Sequence, residues 1–222
     1  NGFPGWHCEC TAMGKKYQID PVVARILVNR DLTEDAAITA FLHPSEKDLG
    51  DGKALKDMDV AVALLQKAIK EKKKIRIIGD YDIDGVCSTY ILTDGLEAAG
   101  AVVSMDIPDR IKDGYGINEH LIDKAWQDGV DTIVTCDNGI AAIEQIAYAK
   151  ELGMTVIVTD HHEIPYEETE QGRRFLRVNA DATINPKQPD CGYPYKLLCG
   201  GAVAYKLIQA LYARLGRIPD QA

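Results

Sequence analysis

From residue 75 onward, short apolar runs rich in β-branched side chains alternate with longer amphipathic segments. The short runs have the length of buried strands, and the longer segments have the length of helices. Strands that alternate with helices in this way form a parallel sheet that is covered by helices on both faces. The pattern therefore predicts a three-layer α/β domain with a mostly parallel central sheet. Its strands are expected at residues 75–79, 101–107, 132–136 and 154–159, and its helices at 86–99, 118–127, 141–152 and 200–215.

The chain before this domain has a helical pattern. Asp20-Pro21 supplies a cap and a first-turn proline for a helix over residues 22–28. Thr33 is expected to cap a second helix that ends near Leu42. A third helix is predicted from Asp57 or Asp59 to about residue 72.

Two stretches show no strong period. Residues 1–19 are interpreted as a loosely ordered lead-in, and residues 163–182 as loop with some local structure. We therefore predict a small helical amino-terminal segment over 1–58 and a catalytic, metal-binding domain over 59–222.

Charge and cysteine content narrow the function classes. The chain carries 34 acidic and 25 basic side chains, for a net charge of −9. An acidic balance argues against nucleic-acid binding, unless metal cations offset a concentrated group of carboxylates. No apolar run approaches the ~18–20 residues that a membrane-spanning helix needs, so no membrane association is expected. The six cysteines include no C-x-x-C pair, and we interpret them as reduced thiols of a cytoplasmic protein.

Three carboxylates follow the first predicted strand at every second position, namely Asp80, Asp82 and Asp84. In an extended loop, alternate side chains point to one side, so these charges are expected to crowd together. Crowding disfavours the ionised forms unless a cation neutralises them. A divalent metal ion is the natural candidate.

Residues 80–85 allow other interpretations. Their D-x-D-x-D-G order also begins an EF-hand calcium loop, but the twelfth position, where a bidentate glutamate belongs, is Ile91, and a strand rather than a helix precedes the loop, so this interpretation is rejected. Residues 82–85 also match the D-x-D-G of haloacid-dehalogenase phosphatases. A solvated acidic turn is the non-functional alternative.

Further ionisable residues follow the later predicted strands. Asp137 comes directly after the strand at 132–136, and Asp160-His161-His162 comes after the strand at 154–159. Ligands bind outside the carboxyl ends of parallel strands, so these groups are expected at one cleft. Carboxylates mixed with imidazole suit Mn²⁺, with Mg²⁺, Co²⁺ and Zn²⁺ as alternatives. So many acids indicate two ions, which would clamp a phosphoryl group and activate water for hydrolysis of a phosphoester or phosphoanhydride.

The motifs at 80–85, 137–139 and 160–162 resemble the signature motifs of the DHH phosphoesterase superfamily. Arg110 with residues 114–116, and the stretches at 185–194 and 198–204, resemble further motifs of its RecJ-like branch, the 5′→3′ single-strand-specific DNA exonucleases. The resemblance implies Mn²⁺-dependent release of mononucleotides from single-stranded DNA during DNA repair and recombination. It also implies protein partners in those processes, whose identity stays open.

The resemblance implies roles for individual residues. Four of them are implied as metal ligands: Asp82, Asp84, Asp137 and His161. Asp137 would bridge two ions, and Asp80 would be a further ligand or would orient one. His162 would contact the scissile phosphate and stabilise its developing charge.

Three more residues are implied as phosphate contacts. Arg110 would hold a phosphate as a bidentate fork, with a salt bridge to Asp109 or Asp113 as the structural alternative. Gly200 and Gly201 either offer backbone N–H groups to a phosphate at a helix start or let that helix pack closely on the sheet.

The chain departs from the family pattern in one respect. The family supplies another aspartate ligand from a later strand, and no stretch up to residue 222 matches that segment. We therefore expect an amino-terminal part of a longer protein, which holds at most one well-ordered metal ion by itself. Other activities stay open, because DHH enzymes also cleave short oligonucleotides, cyclic dinucleotides or pyrophosphate, and some relatives are non-catalytic scaffolds.

Overall fold

The computed structural model describes residues 4–45, 49–109 and 116–217, with the side chains of residues 4–9 left out. The chain divides into two compact units, Asn1–Gly50 and Asp51–Ala222. The boundary that we predict at residue 58 stays a prediction. Arg110, one of the expected phosphate contacts, lies outside the described residues.

The amino-terminal unit is helical, as expected. It contains α1 (Pro4–Tyr17), α2 (Pro21–Asn29) and α3 (Asp35–Leu42). The Asp20 side chain accepts a hydrogen bond of 2.7 Å from the Val22 N–H and so caps α2 as predicted. The prediction of a loosely ordered lead-in was wrong, because α1 occupies most of it. Its apolar side chains are few, which is why no helical period was evident.

The second unit is built on a five-stranded parallel sheet with the strand order β2-β1-β3-β4-β7. Four strands confirm the sequence prediction to within one or two residues: β1 (Lys74–Ile78), β2 (Val102–Asp106), β3 (Thr132–Cys136) and β4 (Thr155–Thr159). β3 lies at the centre and is buried along its whole length. Its continuous apolar character reflects cover on both faces of the sheet.

Helices cover both faces of this sheet. One face packs against α4 (Met58–Lys70), α5 (Ile83–Ala98) and α8 (Gly200–Leu215), and the other against α6 (Glu119–Gln127) and α7 (Ile143–Glu151). The alternation along β1 shows the two faces, because Ile75 and Ile77 join the first core while Ile78 joins the second. The predicted three-layer α/β fold is therefore confirmed.

The segment at 163–182 was predicted as loop and is more ordered than that. It forms an exposed antiparallel hairpin of β5 (Tyr166–Thr169) and β6 (Gly172–Phe175), followed by β7 (Ala182–Ile184). The hairpin strands are solvated on both sides, so they lack the apolar alternation that identifies a half-buried strand. β7 has only three residues, all buried. Among the described residues, no helix has the length and apolar character to cross a membrane.

Candidate metal centre

The site lies at the carboxyl ends of three neighbouring strands. β1 is followed by Asp80, β3 by Asp137, and β4 by Asp160. Because β1, β3 and β4 are adjacent and parallel, their ends bring these acids to one edge of the sheet. All three side chains are buried.

Two groups of potential ligand atoms meet at this edge. One oxygen each from Asp80, Asp82 and Asp137 lies within 4.8 Å of the others, and so does one atom each from Asp137, His161 and His162. Asp137 belongs to both groups. Its position supports the predicted role as a bridge, which stays a prediction.

The three acids after β1 do not lie in an extended loop, as the alternation argument assumed. Asp82 is the N-cap of α5, and its side chain accepts a hydrogen bond of 2.9 Å from the Gly85 N–H. The helix begins at Ile83, three residues earlier than predicted, so Asp84 lies in its first turn. The hydrogen bond from Gly85 lowers the pKa of Asp82 and keeps this carboxylate ionised.

Asp84 is held by the start of α8. Its Oδ2 accepts a hydrogen bond of 2.6 Å from the Gly200 N–H, and its Oδ1 accepts one of 2.8 Å from the Gly201 N–H. His161 Nε2 lies 3.5 Å from Asp84 Oδ2. The Gly200 and Gly201 N–H groups, which the family resemblance implied as phosphate donors, therefore donate to a carboxylate. This contact favours the structural alternative for both glycines.

Asp80 is a buried acid with an unpaired oxygen. Its side chain is 2% exposed, and within the described part of the chain its Oδ1 has no hydrogen-bond partner. Burial raises the pKa of Asp80. A Cβ at Gly85 would lie 2.5 Å from the Asp80 carbonyl oxygen, so a glycine is needed where α5 passes this turn. A buried carboxylate oxygen without a donor fits a metal ligand.

Asp137 is buried and strained. It adopts a left-handed backbone conformation with φ of 60°, and its side chain is 1% exposed. Burial, together with the neighbouring charges of Asp84 and Asp82, raises the pKa of Asp137 to about 8. His161 Nε2 lies 2.9 Å from Asp137 Oδ1. Carboxylate oxygens and an imidazole nitrogen that converge in this way fit Mn²⁺ or Mg²⁺.

Asp160 is part of the motif at 160–162, but no role was predicted for it. Its carboxylate positions both histidines. Its Oδ1 accepts hydrogen bonds from the His161 N–H (2.7 Å) and the His162 N–H (3.1 Å), and lies 2.8 Å from His162 Nδ1. Its Oδ2 accepts one of 2.9 Å from the Ile140 N–H. Burial alone would raise the pKa of Asp160, but these bonds outweigh burial and lower it.

His162 is held from two sides. The hydrogen bond to Asp160 raises the pKa of His162, so its cationic form persists to higher pH. Asn185, which follows β7 and is fully buried, donates a hydrogen bond of 2.9 Å from Nδ2 to the His162 carbonyl oxygen. Asn185 was noticed only as part of a motif, because the sequence did not predict β7. A cationic imidazole beside the carboxylates is suited to contact a phosphate.

The fold and the site define a parallel α/β protein with a cluster of carboxylates and imidazoles that fits a metal ion. Residues 74–221 match the family model described as the DHH family, N-terminal domain. The chain belongs to this family. The single-stranded-DNA-specific exonuclease RecJ of Bacillus subtilis is 41% identical over 210 residues, which are 95% of this chain and 25% of the relative. The RecJ of Escherichia coli is 33% identical and is matched over 87% of this chain and 32% of the relative.

Solved structures agree with this assignment. An exonuclease RecJ bound to manganese matches with a TM-score of 0.63 and 36% identity, over 74% of this chain and 40% of that one. RecJ from Thermus thermophilus in complex with Mn²⁺ matches with a TM-score of 0.67 and 29% identity, over 96% of this chain and 28% of that one. A further structure of the Thermus protein contains Mg²⁺. The chain thus spans between a quarter and two fifths of these relatives.

Proposed function

We propose that this chain is the metal-binding core of a 5′→3′ single-stranded-DNA exonuclease that releases mononucleotides in DNA repair and recombination. The observation that carries the proposal is the convergence of Asp80, Asp82, Asp137 and His161 at one edge of the sheet, with His162 beside them. The similarity to RecJ proteins supports the substrate. Mn²⁺ is the proposed cofactor and Mg²⁺ the alternative, since related proteins have been solved with each.

Each residue has a proposed part in hydrolysis. Five residues would hold the metal: Asp80, Asp82, Asp84, Asp137 and His161. A metal ion bound there would lower the pKa of water and neutralise phosphate charge. His162, whose pKa the hydrogen bond to Asp160 raises, donates to the phosphate as negative charge develops there. The raised pKa of Asp137 means that metal binding must displace a proton from this site.

Two further parts of the proposal concern the cellular location of the protein and the role of Arg110. We place the protein in the cytoplasm, in line with its cysteines, of which Cys10, Cys87, Cys136, Cys191 and Cys199 are free in the described part of the chain. Arg110 stays the proposed phosphate clamp, on the strength of the sequence motif alone.

The experiment is a nuclease assay with Mn²⁺ on long single-stranded DNA, a dinucleotide and pyrophosphate. Wild-type protein is expected to degrade the long strand fastest, and Asp82→Ala and Asp137→Ala are expected to lose at least 10²-fold in rate. Asp94→Asn, on the exposed side of the same helix as Asp84, is the matched control and should keep the wild-type rate. Full activity of the double variant Asp82→Ala, Asp137→Ala would refute the assignment. Faster hydrolysis of pyrophosphate than of single-stranded DNA would mean that pyrophosphate, and not DNA, is the substrate.

A further inference from the structure

The Asn138 side chain turns inward after β3 and bonds to the backbone of two strands. It is 1% exposed, and its Nδ2 donates hydrogen bonds to the carbonyl oxygens of Ile78 (3.1 Å) and Cys136 (3.0 Å). Ile78 is the last residue of β1, and Cys136 is the last residue of β3. One side-chain amide therefore joins the carboxyl ends of two neighbouring strands.

This bridge lies past the paired region of the two strands. The register between β1 and β3 ends with Ile78 opposite Thr135. The next residue of β3, Cys136, pairs with Thr159 of β4 on the other side. Asn138 therefore adds a connection between β1 and β3 beyond their last paired residues.

The two bridged strand ends carry acids of the metal centre. Asp80 follows Ile78 by two residues, and Asp137 directly follows Cys136. Both acids are buried, and one oxygen of each lies within 4.8 Å of the other. Carboxylates must be ionised to bind a metal ion, and two ionised carboxylates at this distance repel each other. The bridge holds the two backbone segments together against this repulsion.

The turn that carries Asn138 is itself restrained. The residues on either side of it, Asp137 and Gly139, have φ of 60° and 107°. The Thr135 hydroxyl donates a hydrogen bond of 2.9 Å to the Asn138 carbonyl oxygen, and a Cβ atom at Gly139 would lie 2.5 Å from Thr135 Oγ1. The Asn138 amide is therefore held in place, and its two bonds fix the strand ends relative to this turn.

The other atom of the amide, Asn138 Oδ1, takes no part in the bridge. It is buried, and among the described residues no donor reaches it. Gly116 covers the side chain, since a Cβ atom there would lie 3.4 Å from Asn138 Cβ. An unpaired buried acceptor costs free energy, which the two bonds of Nδ2 offset. Those bonds need an amide, because an apolar side chain has no donor and an ionised aspartate has only acceptors.

We propose that Asn138 is a positioning residue that fixes the separation of Asp80 and Asp137, so that both carboxylates reach one metal ion. This role rests on the proposed metal-dependent function. It makes the affinity for the ion depend on a buried side chain that does not contact the ion.

Calorimetric titration with Mn²⁺ tests this role without turnover. Asn138→Ala should bind Mn²⁺ at least tenfold more weakly than the wild type, because loss of a residue that supports a ligand typically lowers metal affinity ~10–100-fold. Gln188→Ala is the matched control. Its buried amide also donates to two backbone carbonyl oxygens, those of Thr183 (2.7 Å) and Asn185 (3.5 Å), but these belong to one segment of the chain. The control should keep the wild-type affinity, and wild-type affinity in Asn138→Ala would overturn the proposal.

A double-mutant cycle separates positioning from a general loss of structure. In Asp80→Asn one of the two carboxylates is absent, so their separation no longer matters. Asn138→Ala should therefore lower the Mn²⁺ affinity by less than about twofold in that background, against at least tenfold in the wild type. Equal losses in both backgrounds would show that Asn138 supports the fold as a whole, which would overturn the proposal.

Circular dichroism checks that each variant is folded. If Asn138→Ala does not fold, Asn138→Ser replaces it with the same expectations, because serine suits a turn and its hydroxyl is too short to join both strand ends. A wild-type protein that binds no Mn²⁺ would instead overturn the proposed function. The failure of the bridge and the failure of the metal centre are therefore distinguishable.

Discussion

Gly200 lies so close to Asp137 that a Cβ atom at Gly200 would be 2.7 Å from Asp137 Oδ1. The same glycine donates its N–H to Asp84, so the start of α8 touches two acids of the metal centre at once. The close approach requires a residue without a side chain. Gly200 therefore couples the packing of α8 to the geometry of the metal centre.

Replacement of this glycine should weaken metal binding. In Gly200→Ala the new methyl group must displace either Asp137 or the helix start, and loss of one supporting contact typically lowers metal affinity ~10–100-fold. Calorimetric titration with Mn²⁺ measures this change. Gly192→Ala is the matched control, because a Cβ there meets its nearest atom, the Ala54 carbonyl oxygen, only at 3.7 Å. Equal Mn²⁺ affinities in the two variants would contradict the coupling.

The sequence was sufficient for four of the five strands of the sheet and for the acids at its edge. Buried strands such as β3 and β4 are rich in β-branched residues and carry no charged side chain, and an acidic residue directly after each of them was enough to place Asp137 and Asp160. The family resemblance then added roles for individual residues. None of this required knowledge of how helices pack.

Two kinds of feature could not be predicted. Asp84 is held by amides 116 and 117 residues further along the chain, and no local pattern reveals such a long-range contact. The orphaned acceptors at Asp80 and Asn138 depend on burial by surrounding elements, which periodicity does not report. Asp80 and Asp82 lie close together, as expected from the sequence. The reason given for this was wrong, because α5 begins at Ile83 and the three acids therefore do not lie in an extended loop.

The Asp160 carboxylate should control the protonation of His162. In Asp160→Asn the amide keeps one acceptor for backbone N–H groups but loses the negative charge that raises the His162 pKa. The pKa of His162 is therefore expected to fall, and the imidazole to lose its proton at lower pH than in the wild type. NMR titration of the imidazole in metal-free protein measures this. Asp94→Asn, remote in sequence and exposed, should leave the His162 titration unchanged; a shift of equal size there would rule out a specific effect.

Arg76 should contribute to stability rather than to chemistry. It is 6% exposed and binds the Asp106 carboxylate, Ser104 Oγ (2.7 Å) and Asp128 Oδ2 (2.9 Å). Breaking a buried ion pair costs ~3–5 kcal/mol, but Lys124 still pairs with Asp106 and Asp128 is half exposed. Arg76→Met is therefore expected to lower the free energy of unfolding by about 2 kcal/mol.

Urea unfolding measures this loss. The control is Arg173→Met, which breaks an exposed pair with Glu168 and should change the free energy of unfolding by less than ~0.5 kcal/mol. Similar losses in both variants would show that burial does not distinguish the two arginines.

The raised pKa of Asp137 makes the stability of the metal-free protein depend on pH. An unfolded aspartate has a pKa near 3.8, and the folded one has a pKa of about 8, so between these values the native state binds the extra proton. Stability from this group is present below the unfolded pKa and is lost as pH rises through the folded pKa. The slope is at most ~1.4 kcal/mol per pH unit.

Asp137→Asn isolates this contribution, because asparagine is similar in shape and tolerates the left-handed backbone at this position. In EDTA, the free energy of unfolding of the wild type should fall relative to that of Asp137→Asn between about pH 4 and pH 8. Added Mn²⁺ should reverse the trend in the wild type, since the ion binds the ionised carboxylate and stabilises the folded state by mass action. Urea unfolding at several pH values checks both expectations. Parallel curves for the two proteins in EDTA would mean that Asp137 is already ionised without metal, and that burial does not hold its proton.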